Sequence, residues 1–276
     1  METIVSRRNP LVARCRALAR GRTDKDPAAL LDGWHLLEEA LRAGMAVEIV
    51  AIADCAFRDK GAGARRLEQT ARVSGARTMR VSDDVLEMMS PVGAPSGVVG
   101  VARIRESSLE AVVRPAPALV LVAVDVQDPG NVGALVRVAD AAGATGVVVA
   151  GASADPWGWK ALRGAMGSAF RLPLLRWPDA AGLVAALRAR GLRIVATGVR
   201  AGRPLYEHDL QKPTAVLFGS EGAGIPGPVA SLADEALSIP MREAVDSLNV
   251  ATAAAIVAYE ARRQRALDTG GAHPSP

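Results

Sequence analysis

From position 119 onward, short apolar runs of strand length alternate with stretches of helical periodicity. Strands are expected over 119–126, Gly146–Ala150, 192–197 and Thr214–Phe218, and helices over 131–142, near 157–166, over 179–190 and over 247–264. A strand that is apolar on both faces needs cover on both sides, and a connection long enough to hold a helix delivers the next strand in parallel. The pattern therefore predicts an α/β domain with a helix-covered parallel sheet. By these rules alone the sheet would be doubly wound and unknotted, because chains almost never thread through themselves.

The first hundred residues predict a separate, smaller α/β unit. Helical patterns run over 10–20, 33–43 and 61–73, and Ser82-Asp83-Asp84 is placed to cap a helix ending at Met89. Strands are expected over Val47–Ala53, Arg77–Val81 and 97–102. Between the halves, 103–117 collects charges, Ser107-Ser108 and the prolines Pro115 and Pro117. The predicted division is a domain over 1–105, a linker over 106–117, a second domain over 118–265 and a disordered tail over 266–276.

Composition narrows the class. Half of the 276 residues are apolar, enough for a sizeable core, yet no apolar run has the length of a bilayer span. The N-terminus has no apolar stretch after its charges, so it does not read as a secretory signal. Cys15 and Cys55 lack CxxC spacing and the three histidines are scattered, which argues against a disulfide framework or a metal site. A cytoplasmic, metal-free protein is expected. The net charge of +4 is uneven: residues 1–105 carry 17 Lys+Arg against 13 Asp+Glu, and residues 106–276 carry 16 of each. Arg7, Arg8, Arg14, Arg16, Arg20, Arg22 and Lys25 crowd the first 25 residues, as a phosphate-backbone footprint would. The same richness in arginine also follows from a composition with only four lysines.

Three motifs carry the chemistry. Leu217-Phe218-Gly219-Ser220-Glu221-Gly222-Ala223-Gly224-Ile225-Pro226 is a Gly-rich turn after an apolar strand. A loop that cradles phosphates gathers backbone N–H groups and a cation, and it has no use for Glu221 at its centre. Upstream lies Asp128-Pro129-Gly130-Asn131-Val132-Gly133, followed by Arg137; downstream lie Ile239-Pro240-Met241 and Ser247-Leu248-Asn249.

Together and in this order, the three motifs resemble the SpoU/TrmH branch of the SPOUT methyltransferases. Residues 1–105 are similar to the substrate-binding domain often fused to that branch, a fold like a ribosomal protein. That likeness rests on Ser6-Arg7-Arg8-Asn9-Pro10, on Leu31-Asp32-Gly33 and on Pro95-Ser96-Gly97-Val98-Val99, with Asp32 where the family usually has Glu. The resemblance implies transfer of a methyl group from S-adenosylmethionine to a ribose 2′-hydroxyl of RNA, a homodimer, and a C-terminal trefoil knot that brings the turn after Phe218 to Asn249. It assigns Gly219, Ile239 and Leu248 to the cofactor, with Met241, Thr197 and Gly198 beside them. Apolar walls and backbone edges suit an adenine, and Thr197 and Gly198 end a strand where ligands of open α/β sheets gather.

By the same resemblance Arg137 is the catalytic arginine. A guanidinium rarely gives up its proton, so its expected role is to grip the neighbouring phosphate and polarise the hydroxyl. Glu221 is expected to pair with Arg137. Asn131 is either the cap of the helix that carries Arg137 or part of the RNA-facing site; Ser247 and Asn249 are either caps or catalytic groups. Met166 stands where the family usually shows Ser, with Ser168 close by. Aromatic residues are few, so arginine contacts to phosphates are favoured over base stacking. Ribosomal RNA is the favoured substrate; transfer RNA and a catalytically silent RNA-binding protein are the alternatives. A dinucleotide oxidoreductase would need G-x-G-x-x-G after an early strand, which is missing.

Overall fold

The computed structural model describes residues 2–21, 26–198 and 202–268. The chain divides into two compact units, Met1–Arg105 with Trp157–Arg171, and Glu106–Pro156 with Leu172–Pro276.

The first unit is built on five strands: β1 (Glu2–Ile4), β2 (Ala28–Asp32), β3 (Val47–Ala53), β4 (Arg77–Val81) and β5 (Val98–Arg103), in the order β1-β4-β3-β5-β2. β4 is parallel to β1 and β3, whereas β5 is antiparallel to β2 and β3. All five residues of β2 are buried. The helix Pro10–Arg20 starts where its sequence dictates: Asn9 Oδ1 accepts from Leu11 N at 2.9 Å, and Pro10 occupies the first turn, where no N–H is needed. Its Leu11, Val12, Cys15 and Leu18 join the core with Leu30, Met79, Leu86 and Met89. The helix expected over 61–73 begins earlier, at Asp54, and is interrupted at Gly61, whose ψ of −82° is not helical. Ser82 stands at the cap position of Asp83–Met89 without a side-chain bond; Asp83 accepts from Cys55 N and Arg58 instead.

The second unit holds a seven-stranded sheet: β6 (Leu119–Val124), β7 (Gly146–Ala150), β8 (Leu174–Trp177), β9 (Arg193–Thr197), β10 (Arg203–Pro204), β11 (Thr214–Phe218) and β12 (Glu235–Ser238), in the order β10-β12-β9-β11-β6-β7-β8. Every pairing is parallel, as the apolar runs predicted. The central strands β6, β7 and β11 are buried throughout. β8, β10 and β12 were not expected; two are only four residues long, and β10 has two, too short to display a period. The segment 106–117, read from composition as a linker, contains a one-turn helix, Leu109–Val112, with both end residues buried against Val120 and Val148. The last helix, Val250–Asp268, runs into the segment expected to be a disordered tail; 269–276 lie outside the described residues.

The helix expected over 131–142 begins two residues earlier, as Pro129–Ala142. Asp128 is the N-cap, its Oδ1 accepting from Asn131 N at 2.9 Å, Pro129 follows, and Gly143 closes the helix in the left-handed region with φ 78°. Asn131 is thus not the cap, as had been one expectation for it. It is the residue whose N–H the cap binds.

Candidate active site

The chain after β11 folds back sharply. Ser220 and Gly224 exchange backbone hydrogen bonds, Ser220 N to Gly224 O at 3.2 Å and Gly224 N to Ser220 O at 2.9 Å. Gly224 has φ +67°, which suits glycine. A Cβ on Gly219 would lie 2.1 Å from Gly224 C and 2.2 Å from Ile225 N, so the closed turn itself demands glycine there. Glu221, Gly222 and Ala223 are left exposed at the tip.

Beneath this turn lies a cavity of about 240 Å³ at the carboxyl ends of β9, β11 and β12. Thr197, Gly198, Gly219, Ile239, Met241 and Leu248, all expected there from the sequence, line it, and so do Ser247 and Glu221. Phe218 and Val250 from the motif stretches, and Leu237 and Ala253 outside them, add apolar wall. Leu237 lies two residues before Ile239 and Val250 directly follows Asn249, and their direction is fixed by β12 and the final helix. The Thr197 hydroxyl is engaged within the sheet, donating to Leu217 O at 2.9 Å. What Thr197 and Gly198 offer the cavity is their backbone and surface.

A second cavity of about 560 Å³ opens on the other side of the turn, lined by Asn131, Asp128, Gln127, Asp125, Ser220 and Glu221 among others. Asp125 was not anticipated. It adopts φ 55°, a left-handed conformation uncommon for a residue with a side chain. Its Oδ1 accepts from Ala152 N at 2.7 Å, and Gly151 leaves the room, since a Cβ there would sit 2.2 Å from that oxygen. No sequence period signals such a conformation.

Between the two cavities three motif residues meet. Glu221 Oε1 accepts from Asn131 Nδ2 at 2.9 Å and from Asn249 Nδ2 at 2.5 Å, and Asn249 Nδ2 also lies 2.9 Å from Asn131 Oδ1. Asn249 serves twice, because its Oδ1 caps the final helix through Ala251 N and Thr252 N. Capping and site assembly are therefore not alternatives for this residue. Ser247 lines the first cavity.

Arg137 stands apart from this cluster. It is exposed on the helix Pro129–Ala142 and lines neither cavity. The expected ion pair with Glu221 is not made among the described residues; Glu221 bonds the two asparagines instead. Geometry explains it: six helical residues turn through roughly 600°, leaving the Asn131 and Arg137 side chains about 120° apart around the axis. Met166 is exposed with φ 49° and belongs to the first unit, while Ser168 is buried. Among the described residues no cluster of metal-ligating side chains occurs, and no helix is long and apolar enough to cross a membrane.

A parallel α/β sheet with an apolar cavity at its strand ends, walled by a Gly-rich turn, defines a small-molecule-binding domain of the open-sheet type. The SpoU rRNA methylase family model matches residues 118–259. The 23S rRNA (guanosine(2553)-2′-O)-methyltransferase RlmP of Bacillus subtilis is 32% identical over 95% of this chain and 100% of its own length. Among solved structures, an AdoMet-bound rRNA methyltransferase from Sinorhizobium meliloti superposes with a TM-score of 0.84 at 29% identity, covering 95% of this chain and 97% of that one. The SpoU methyltransferase AviRb from Streptomyces viridochromogenes, in complex with AdoMet, gives 0.81 at 30% identity, covering 93% and 99%. The chain belongs to the SpoU rRNA methylase family.

Proposed function

We propose that this protein transfers a methyl group from S-adenosylmethionine to a ribose 2′-hydroxyl of ribosomal RNA. The observation that carries the reading is the convergence of three separated motifs on one turn: Gly219, Ile239 and Leu248 around the first cavity, and Asn131, Glu221 and Asn249 hydrogen-bonded beside it. The donor set suits the cofactor. The cavity offers apolar walls and backbone edges for an adenine, and Glu221, the one charged side chain lining it among the described residues, is an anion of the right sign for a sulfonium. Bound there, S-adenosylmethionine would supply an already activated methyl group.

The protein's part is then to position and polarise. Ile239, Met241 and Leu248 hold the flat apolar portion of the cofactor and exclude water. Asn131, fixed by Glu221, presents the wall of the second cavity to the ribose. Asn249 ties that wall to the final helix, and Ser247 borders the cofactor. Arg137 stays protonated and grips a phosphate of the RNA, so the hydroxyl proton passes to a phosphate oxygen or to water. Arg137→Ala and Arg137→Lys are expected to lose at least about 10²-fold in turnover with S-adenosylmethionine affinity unchanged, because a bidentate grip is lost in both. Calorimetry with the cofactor and single-turnover methylation measure the two quantities, and full turnover in Arg137→Ala would remove its role.

The finer architecture belongs to the same proposal. β11 enters the sheet between β6 and β9, an order that supports a C-terminal trefoil knot; an experimental trace with an unthreaded C-terminal segment would overturn it. The five-stranded first unit, the expected 1–105 together with Trp157–Arg171, is read as the RNA substrate-binding domain, similar to a ribosomal protein, and the rest of 118–265 as the methyltransferase domain. The exposed position of Arg137 fits a homodimer in which a second copy completes the site, to be measured by sedimentation. Action in the cytoplasm agrees with Cys15 and Cys55 being free thiols. Methylation assays on separate ribosomal and transfer RNA pools, with the nucleoside product identified, decide the substrate.

A further inference from the structure

The first unit contains a cavity of its own, of about 390 Å³, whose wall includes Asp32, Trp34, His35, Ser96, Arg163 and Met166. Asp32 ends β2 and is only 7% exposed. Its Oδ2 accepts from Ser90 Oγ at 3.2 Å, but its Oδ1 is buried with no hydrogen-bond partner among the described residues. A carboxylate oxygen left so is costly, and a buried polar group without a partner calls for a physical reason such as a ligand. Burial raises the affinity of this carboxyl for its proton, and Ser90 and Arg163 act in the opposite direction. The torsion about the carboxylate's Cβ–Cγ bond is soft, and turning it brings Oδ1 toward the cavity while Oδ2 gives up Ser90.

The surroundings favour a flat, polar ligand. Trp34 is held in place, its Nε1 donating to Ser96 O at 2.7 Å and Lys60 Nζ lying 4.7 Å from its ring centroid. The helix Trp34–Arg42 begins at this wall, and no side chain caps its N-terminus. Arg163 supplies an exposed guanidinium at the rim. The set therefore comprises a two-oxygen acceptor, backbone donors next to it, an aromatic wall and a guanidinium.

Among the nucleobases this pattern selects one. Guanine has two adjacent donors, N1–H and N2–H, beside an acceptor, O6. Adenine and cytosine each offer one amino donor next to a ring-nitrogen acceptor, and uracil flanks its single N3–H with two carbonyls that a carboxylate repels. We infer that this cavity is a recognition subsite for an unpaired guanine of the RNA, with Asp32 taking the N1–H and N2–H donors and Arg163 and the helix N-terminus facing the acceptor atoms. The inference rests on RNA being the substrate and places a specificity determinant in the first unit, apart from the methyl-transfer residues.

The test uses the full chain and mononucleotides, with the Trp34 indole resonance as the local reporter. GMP is expected to bind in the millimolar range and about tenfold more tightly than AMP or UMP, with IMP, which lacks the N2 amine, weaker than GMP. Asp32→Asn turns one acceptor into a donor and is expected to abolish the preference, whereas S-adenosylmethionine affinity, measured on the same sample, is unchanged and the KM for RNA rises. Arg163→Gln, at an exposed position, is expected to weaken GMP severalfold. Equal binding of GMP and AMP, no GMP response at the Trp34 indole, or a preference retained in Asp32→Asn overturns the subsite. Cofactor binding without a guanine preference would defeat this inference and leave the methyl-transfer reading standing; a guanine preference without cofactor binding would do the reverse.

Discussion

Asn249 Nδ2 lies 2.5 Å from Glu221 Oε1, although 28 residues of chain separate them. The contact joins the tip of the Gly-rich turn to the first residue before the final helix, and Asn131 completes it from a third segment. Because Glu221 is exposed, the cluster contributes less to stability than to orientation. Glu221→Ala is expected to lower turnover by about 10²-fold with a stability change within about 0.5 kcal/mol. Denaturant titration and single-turnover methylation check the two halves, and a loss of less than about twofold in turnover would contradict an orienting role.

Gly219 and Gly222 lie three residues apart and should behave oppositely. Gly219→Ala forces a Cβ into the backbone of Gly224 and Ile225, so the turn must open. A loss of about 1–3 kcal/mol in stability and of more than about tenfold in S-adenosylmethionine affinity is expected. Around Gly222 no atom lies within 4 Å of the added carbon, and Gly222→Ala should be close to neutral. Thermal melts with and without cofactor compare the pair. Equal behaviour would mean the turn does not shape the cavity.

The two thiols should also differ. Burial pushes the Cys15 thiol up to about 12, with Arg14 pulling slightly the other way, and Cys15 has no exposed surface. The half-buried Cys55 is raised as well, by burial and then by Asp83. Maleimide at pH 8 should therefore label Cys55 at least about tenfold faster than Cys15 in the folded protein, and both at similar rates in urea, because the thiolate is the nucleophile. Mass mapping of the adducts reads the ratio; a Cys15 that reacts first would show that its helix does not pack as described.

Arg14 binds Asp26 at 2.7 Å and Glu48 at 2.8 Å. Its hydrogen bonds hold the Asp26 carboxyl below the usual carboxylate range against the effect of burial. For Glu48, burial pushes upward and is outweighed by Arg103 and Arg14. Both folded-state values lie below the unfolded ones, so the stabilisation is complete above about pH 4–5 and disappears as pH falls through the lower folded values. Arg14→Met should cost about 1 kcal/mol at pH 7, and the difference from wild type should shrink toward pH 2–3. Urea denaturation at the two pH values measures it. A difference that does not depend on pH would point to lost packing of the arginine stem.

Local physical chemistry carried much of the reading. Apolar runs that exceed one face of a strand force a covered parallel sheet, and the periodicity over 131–142 marks a helix that the structure extends to Pro129–Ala142. The resemblance carried by the three motifs assigned Gly219, Ile239, Met241 and Leu248 to the cofactor, and all four line one cavity. Other features depend on groups distant in the chain. Asp128 rather than Asn131 caps the helix because the cap reaches three residues on, and that frees the Asn131 amide for Glu221. Arg137 is turned away from Glu221 by helical rotation, the Thr197 hydroxyl is taken by the neighbouring strand, and the buried Oδ1 of Asp32 lacks a partner only because of how the first unit packs. A sequence specifies which groups are available and what each can do alone. Which of them meet, and which are left unsatisfied, is decided when the sheet order and the turns bring remote segments within a hydrogen bond of one another.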